Sequence, residues 1–209
     1  MAYDLEEQDQ IDAFKAFWKK YGNTLLTAVT LVLFAFAAYR GYNYLQDKKA
    51  VEAVGLYEQF REASSKNDLP KSKALAGQIF EKYSDTAYSN MAAVLMAKMY
   101  FDANDVKSAK AALQSVIDKG ADEEYKHIAK VRLAGILLDE KAYDEGLKVL
   151  GAEPSTRFMG TYADRKADLL LASGKPAEAK ASYKIALEKM DANSPLKRVV
   201  QLKLDSLGE

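Results

Sequence analysis

The sequence has no cysteine and a single histidine, His127. The first absence excludes disulfides, thiolate metal sites and cysteine nucleophiles, and the second leaves no imidazole pair for zinc. Proline and glycine are scarce, at four and eleven in 209 residues. With Ala, Leu, Lys and Glu abundant, the chain is expected to be all-α. No charge of either sign predominates, since thirty bases face thirty acids. Gripping nucleic acid needs a basic face, so nucleic acid is not an expected partner. No glycine-rich phosphate loop, G-x-S-x-G elbow or H-E-x-x-H pair occurs. No catalytic residue, cofactor or metal is therefore expected, and the chain reads as a non-enzyme.

Long apolar runs are also missing, with one exception. From Tyr21 to Tyr39 the chain reads YGNTLLTAVTLVLFAFAAY, nineteen residues without a formal charge. At about 1.5 Å per residue this makes a helix of roughly 28 Å, close to the ~30 Å hydrocarbon core of a bilayer. Lys19 and Lys20 bound it before and Arg40 after, while Trp18, Tyr21 and Tyr39 sit where an interfacial aromatic belt would lie. A single transmembrane helix is expected over about residues 21–45. Ala35-Phe36-Ala37 has the form a signal peptidase reads, but the preceding segment is long and net acidic, with Asp4, Glu6, Glu7, Asp9 and Asp12 against Lys15, Lys19 and Lys20. Signal peptides begin short and basic, so the segment reads as an uncleaved signal anchor. Counting bases on the two sides of the span gives three against three (Lys15, Lys19, Lys20; Arg40, Lys48, Lys49), which does not fix orientation. The lysine pair abutting the span favours an N-terminus inside.

Residues 1–20 form a cytoplasmic tail in this reading. Met1 to Gln8 is expected to be mobile, and a helix starting at Gln8 or Asp9 carries Ile11, Phe14, Phe17, Trp18 and Tyr21 on one apolar face that can lie on membrane lipid. Gly22-Asn23 is expected to kink it into the span. Residues 46–209 form the soluble domain. Ala50, Ala53, Val54, Tyr57 and Phe60 make one buried stripe; Ser64 to Asp68 reads as a long loop, and Pro70 opens a helix that buries Leu75, Ile79 or Phe80, and Tyr83.

Beyond this point the sequence repeats. Ala97, Ala134 and Ala167 correspond, as do Ala109, Gly146 and Ala179, with Leu113, Leu150 and Tyr183 following, each series stepping by 37 and then 33 residues. Small residues at these places let helix backbones approach, and the large ones fill the layer around them. This is the tetratricopeptide (TPR) pattern of about 34 residues in degenerate form. Repeats are expected at about 88–121, 124–154 and 157–190, with a divergent pair at 48–84 and a capping helix at 194–207 that closes the last apolar face. Asp122-Glu123-Glu124 is expected to cap a helix start, and His127 to be a packing or surface residue.

A TPR solenoid works through an inner surface formed by the first helix of each pair. The repeat register places Met91, Val94, Lys98 and Phe101 there, then Ile128, Val131 and Leu138 with Gly135, then Asp164, Asp168 and Leu171 with Thr161. Such a groove suits an unfolded segment or a partner helix. The chain's own segment, Ala50 to Phe60 or the C-terminal helix, is an equally available occupant.

The block EEQDQIDAFKAFWKKYGNTLLTAVTLVLF, followed by RGYNYLQDKKAVEA and degenerate TPR units, resembles the ancillary SecYEG translocon subunit family, the YfgM-like proteins of Gram-negative bacteria. The likeness covers the whole chain. It implies a single-pass inner-membrane protein with its N-terminus in the cytoplasm and its repeat domain in the periplasm. The implied partners are the SecYEG protein-conducting channel and a membrane-anchored periplasmic chaperone of the parvulin type (PpiD), with unfolded client proteins handed from one to the other. It implies no catalytic residues. A membrane-anchored adaptor or regulator of envelope assembly, division or stress response would use the same scaffold.

Overall fold

The computed structural model describes residues 2–120, 122–152, 154 and 157–208, with side chains from residue 10 onward. The carboxylates of Asp4, Glu6, Glu7 and Asp9 and the repeat edge expected at residue 121 lie outside that description. Every regular element among the described residues is α-helical: α1 (Ala2–Ser65), α2 (Leu69–Lys82), α3 (Ala87–Asp102), α4 (Val106–Lys119), α5 (Glu123–Asp139), α6 (Tyr143–Leu150), α7 (Met159–Ala172), α8 (Pro176–Lys189) and α9 (Pro195–Asp205). Met1–Val51 forms one compact unit and Glu52–Glu209 a second.

In the first unit α1 departs from two expectations. The acidic segment expected to be a mobile tail is helical from Ala2, in keeping with the helix-forming run Leu5 to Gln8 and with acids near a helix start. The expected kink at Gly22-Asn23 is also absent, because α1 runs unbroken through it. Trp18 supplies a reason: a Cβ at Gly22 would lie 3.2 Å from the indole, so the ring covers the bare backbone and buries that glycine on an otherwise exposed helix. Phe14 stacks on Trp18 with 6.2 Å between ring centres, and Phe17 packs on Tyr21 at 5.2 Å. From Leu25 to Phe36 the large apolar side chains stand exposed.

The second unit is a stack of helices in chain order. Tyr57, Phe60 and Ala63 at the end of α1 share a core with Leu75, Ala76 and Ile79 of α2 and with Ala92 and Met96 of α3. A second cluster joins α3, α4 and α5 through Ala97, Ala109, Leu113 and Leu137. Leu150, Tyr162 and Leu169 carry the stack on to α7, and Ala163, Tyr183 and Val200 join α7, α8 and α9. The small residues picked out by the repeat are all buried, Ala134, Ala167, Ala109 and Ala179 completely. Gly146 cannot carry more: a Cβ there would fall 2.7 Å from Leu169 Cδ2.

The turns inside the helix pairs share one construction. Asn67, Asn104, Lys141 and Gly174 each take a left-handed backbone, at φ 54°, 60°, 61° and 81°. The next residue in each case donates its N–H five residues back: Asp68 to Ala63 O (3.0 Å), Asp105 to Tyr100 O (2.8 Å), Ala142 to Leu137 O (2.8 Å) and Lys175 to Leu170 O (2.9 Å). These bonds close the helix ends as a Schellman motif does. Asp68 and Asp105 then cap the following helices, accepting from Lys71 N (3.1 Å) and Ser108 N (3.0 Å). The first pair therefore has the same tight turn as the others, not the longer loop expected. Ser64 and Ser65 belong to the last turn of α1, where the Ser64 hydroxyl lies 3.3 Å from that of Ser72.

Lys141 holds its left-handed conformation against its own Cβ, a cost of roughly 1–2 kcal/mol that glycine avoids. Part of the gain from glycine is offset by its more disordered unfolded state. Lys141→Gly is expected to raise stability by a few tenths to about 1 kcal/mol in urea unfolding. Gly160 predicts the opposite sign. A Cβ there would lie 2.6 Å from Met190 Cγ and 2.9 Å from Met190 N, where the start of α7 meets the end of α8. Gly160→Ala is expected to cost about 1–3 kcal/mol, the range for an overpacked core, and to lower the urea midpoint accordingly.

Candidate protein-binding groove

Within the second unit the first helices of three successive pairs border one cavity of about 330 Å³. Helix α3 contributes Ala97, Lys98 and Phe101, and α5 contributes Arg132, Gly135, Ile136 and Asp139. Arg165 of α7 forms the far wall, with Leu113 of α4 beneath. Phe101 is partly open to solvent at 38% exposure, and Leu113 and Ile136 are buried, so the floor is apolar. The charges stand around it. Lys98 pairs with Asp102 one turn along the same helix. The Arg165 side chain reaches from α7 across α5, its Cζ only 3.3 Å from where a Gly135 Cβ would be, so a side chain at 135 would push it outward. Its Nη1 donates to Asp168 Oδ2 at 3.3 Å, and its buried Nε has no partner among the described residues. Arg132 donates from Nη1 to the Val94 carbonyl at 3.2 Å and meets no carboxylate among the described residues. Packing around this guanidinium pulls its pKa below the usual arginine range.

The expected groove residues divide into four sets. Lys98 and Phe101 line the cavity. Met91, Ile128, Val131, Leu138 and Leu171 are half-buried and pack against the cores between successive helices. Val94 corrects the expected register: it is a core residue, 6% exposed, and only its carbonyl meets a groove side chain. Asp164 and Asp168 are held by the C-terminal helix. Lys203 of α9 places Nζ 2.7 Å from Asp164 Oδ1, and 2.7 and 2.9 Å from the two Asp168 oxygens. The Tyr183 hydroxyl donates to Asp168 Oδ1 at 2.7 Å. Burial above all raises the Asp164 pKa, against the pull of Lys203, and burial with the neighbouring Asp168 carboxylate raises that of the Tyr183 phenol. At this end the chain supplies its own occupant.

His127 lies with Nδ1 2.8 Å from the hydroxyl of Tyr162 and its ring 5.3 Å from that of Phe158. Tyr162 is 1% exposed, and burial pushes its phenol up to about 12. Asp122 accepts from Glu124 N at 2.8 Å, the capping expected of that acidic run.

In the first unit Phe14, Phe17, Trp18, Lys19, Lys20, Tyr21, Tyr39 and Arg40 are all exposed. Among the described residues one helix is long and apolar enough to cross a membrane, and it is α1.

The chain is thus a helical-repeat scaffold with a cavity on the first-helix face and one such apolar helix. The model of a tetratricopeptide repeat-like domain matches residues 15–209. A Neisseria gonorrhoeae protein named "Ancillary SecYEG translocon subunit" is 32% identical over 212 residues, covering 99% of this chain and 100% of its own length. A Haemophilus influenzae protein of the same name is 29% identical over 98 residues, 47% of this chain and 48% of its own. The chain belongs to the ancillary SecYEG translocon subunit family, whose domain is TPR-like.

Proposed function

We propose that this chain is a non-catalytic accessory subunit of the protein-conducting channel. Residues 1–20 lie in the cytoplasm, residues 21–45 anchor it in the inner membrane, and residues 46–209 stand in the periplasm as the repeat domain. There the groove receives segments of translocated proteins and passes them to a membrane-anchored chaperone of the parvulin type. One observation carries this reading: the full-length likeness to the gonococcal translocon subunit, which spans the apolar helix and the repeats together. The exposed apolar side chains of Leu25 to Phe36 support anchoring, since a large exposed apolar surface marks a membrane or protein contact.

The test is crosslinking in intact membranes followed by purification of the tagged full chain in mild detergent. Channel subunits together with a periplasmic chaperone are the expected companions. Envelope-assembly or division enzymes without the channel would overturn the reading. Orientation is checked separately. The natural chain has no cysteine, so a single Asn104→Cys or Ser173→Cys variant should react with a membrane-impermeant maleimide in intact spheroplasts. Labelling only after lysis would reverse the topology.

A further inference from the structure

The charges around the groove are not evenly settled. Lys98 and Arg165 each have an aspartate on their own helix, Asp102 and Asp168. Arg132 has only a backbone carbonyl, and Asp139 makes no hydrogen bond or ion pair among the described residues. Both belong to α5 and both line the same cavity. Seven positions apart, they sit about two turns, or roughly 10 Å, from one another along the helix. That is too far for a direct pair. Between them the wall is Gly135 and Ile136, and Phe101 faces it from α3. The cavity thus has an apolar middle, an unmatched cation towards one end and an unmatched anion towards the other.

Arg132 is exposed on the cavity wall and pairs with no carboxylate among the described residues, so its guanidinium is open to a carboxylate that a ligand brings. Arginine also holds a carboxylate through paired N–H bonds, and Arg132 uses only Nη1 on Val94. We propose that this cavity binds an extended segment of a translocated protein that carries an acidic residue, an apolar side chain and a basic residue at alternate positions. The acid pairs with Arg132, the apolar side chain fills the space over Gly135 beside Phe101, and the base faces Asp139. In an extended chain alternate side chains share one face, and the first and third of these stand about 13 Å apart, a span that the long Arg132 side chain and Asp139, rooted roughly 10 Å apart, can meet. The charge pattern selects among apolar segments, which the floor alone would not do. The inference rests on the groove being a binding surface, as proposed above, and names the ligand chemistry.

The test uses the full chain in detergent micelles and two fluorescein-labelled peptides, Ser-Asp-Gly-Leu-Gly-Lys-Ser-Gly and the same peptide with Asn for Asp. Fluorescence anisotropy is expected to show the Asp peptide bound about tenfold more tightly than the Asn peptide, the scale of one charge-assisted contact. Arg132→Gln should abolish that preference, Arg132→Lys should retain part of it, and Asp139→Asn should weaken the Asp peptide less than Arg132→Gln does. Equal binding of the two peptides to the native chain would overturn the proposal without recourse to any variant. So would an unchanged preference in Arg132→Gln shown by circular dichroism to be helical. Self-association of the chain that excludes the peptide would place a second copy in the groove and also overturn it. If the channel copurifies but the peptides do not discriminate, the ligand chemistry fails alone. If the peptides discriminate but the channel does not copurify, the translocon reading fails alone.

Discussion

Phe60→Ala is expected to destabilise the repeat domain by about 3–5 kcal/mol, the range for removing a buried aromatic ring. Phe60 is fully buried, and its ring lies 5.9 Å from that of Tyr57, in the core shared with Ile79, Ala92 and Met96. No polar atom can move in to fill the space, so the transfer loss and the cavity add. In a domain of this size the thermal midpoint should fall by roughly 6–20 °C. Amides at the end of α1 and in α2 should lose hydrogen-exchange protection first, because this core is their attachment to α3. Phe34→Ala serves as the control. Phe34 is 74% exposed in the apolar stretch of α1, so the thermal midpoint of the repeat domain should stay within about 1 °C. A loss below about 1 kcal/mol for Phe60→Ala would mean that the end of α1 is not part of the domain core.

Lys203→Met is expected to cost about 2–4 kcal/mol, an effect carried by charge rather than volume. The Asp164 and Asp168 side chains are 14% and 13% exposed, and Lys203, itself 31% exposed, is the cation they share. Removing it leaves two carboxylates to Arg165 and the Tyr183 hydroxyl. Breaking a buried pair costs about 3–5 kcal/mol, reduced here by the access of water. The pH dependence gives the sharper readout. The folded Asp164 pKa is already raised, chiefly by burial. Its favourable contribution is therefore full below the unfolded carboxylate value of about 3.9 and is lost as pH rises through the folded value. Without Lys203 that value rises further and the loss grows. The difference between variant and native thermal midpoints should thus be large at pH 7 and shrink towards pH 4. Lys203→Met with Asp164→Asn should recover part of the stability at pH 7. A midpoint difference that does not change with pH would contradict this account of the cluster.

Different parts of the molecule were legible to different degrees. The apolar segment was read from one charge-free run, a signal that needs no knowledge of packing. The repeat was read from small residues at recurring places, because Ala134, Ala167 and Gly146 each stand where a neighbouring helix leaves no room. The first turn was misread as a longer loop because Ser64 and Ser65 look like loop residues. The informative signal lay one step on, where Asn67-Asp68 repeats Asn104-Asp105, an αL residue followed by a cap.

The groove was legible only in part. On α5 the expected line Ile128, Val131 and Leu138 lies against the cores, while Arg132, Gly135, Ile136 and Asp139 line the cavity. A shift of one residue turns a helix face by about 100°, and register carried over from a degenerate repeat does not resolve that. Arg132 could not be singled out, because sequence does not tell which of thirty bases lacks a carboxylate. Asp164 and Asp168 were placed on the correct helix, but their partner Lys203 lies 39 and 35 residues away. No local pattern announces a contact at that distance.

The proposed function puts this chain beside the protein-conducting channel, with the apolar segment of α1 in the same membrane. The most direct measurement places a photo-crosslinking amino acid singly at Phe17, Leu31, Phe34 and Phe101 of the full chain in living cells, with irradiation before lysis. Adducts with channel subunits from one or more of Phe17, Leu31 and Phe34, and adducts with non-channel proteins from Phe101, are the predicted result. The absence of channel adducts from all three α1 positions, with the chain present in the membrane fraction and Phe101 still yielding products, would contradict it.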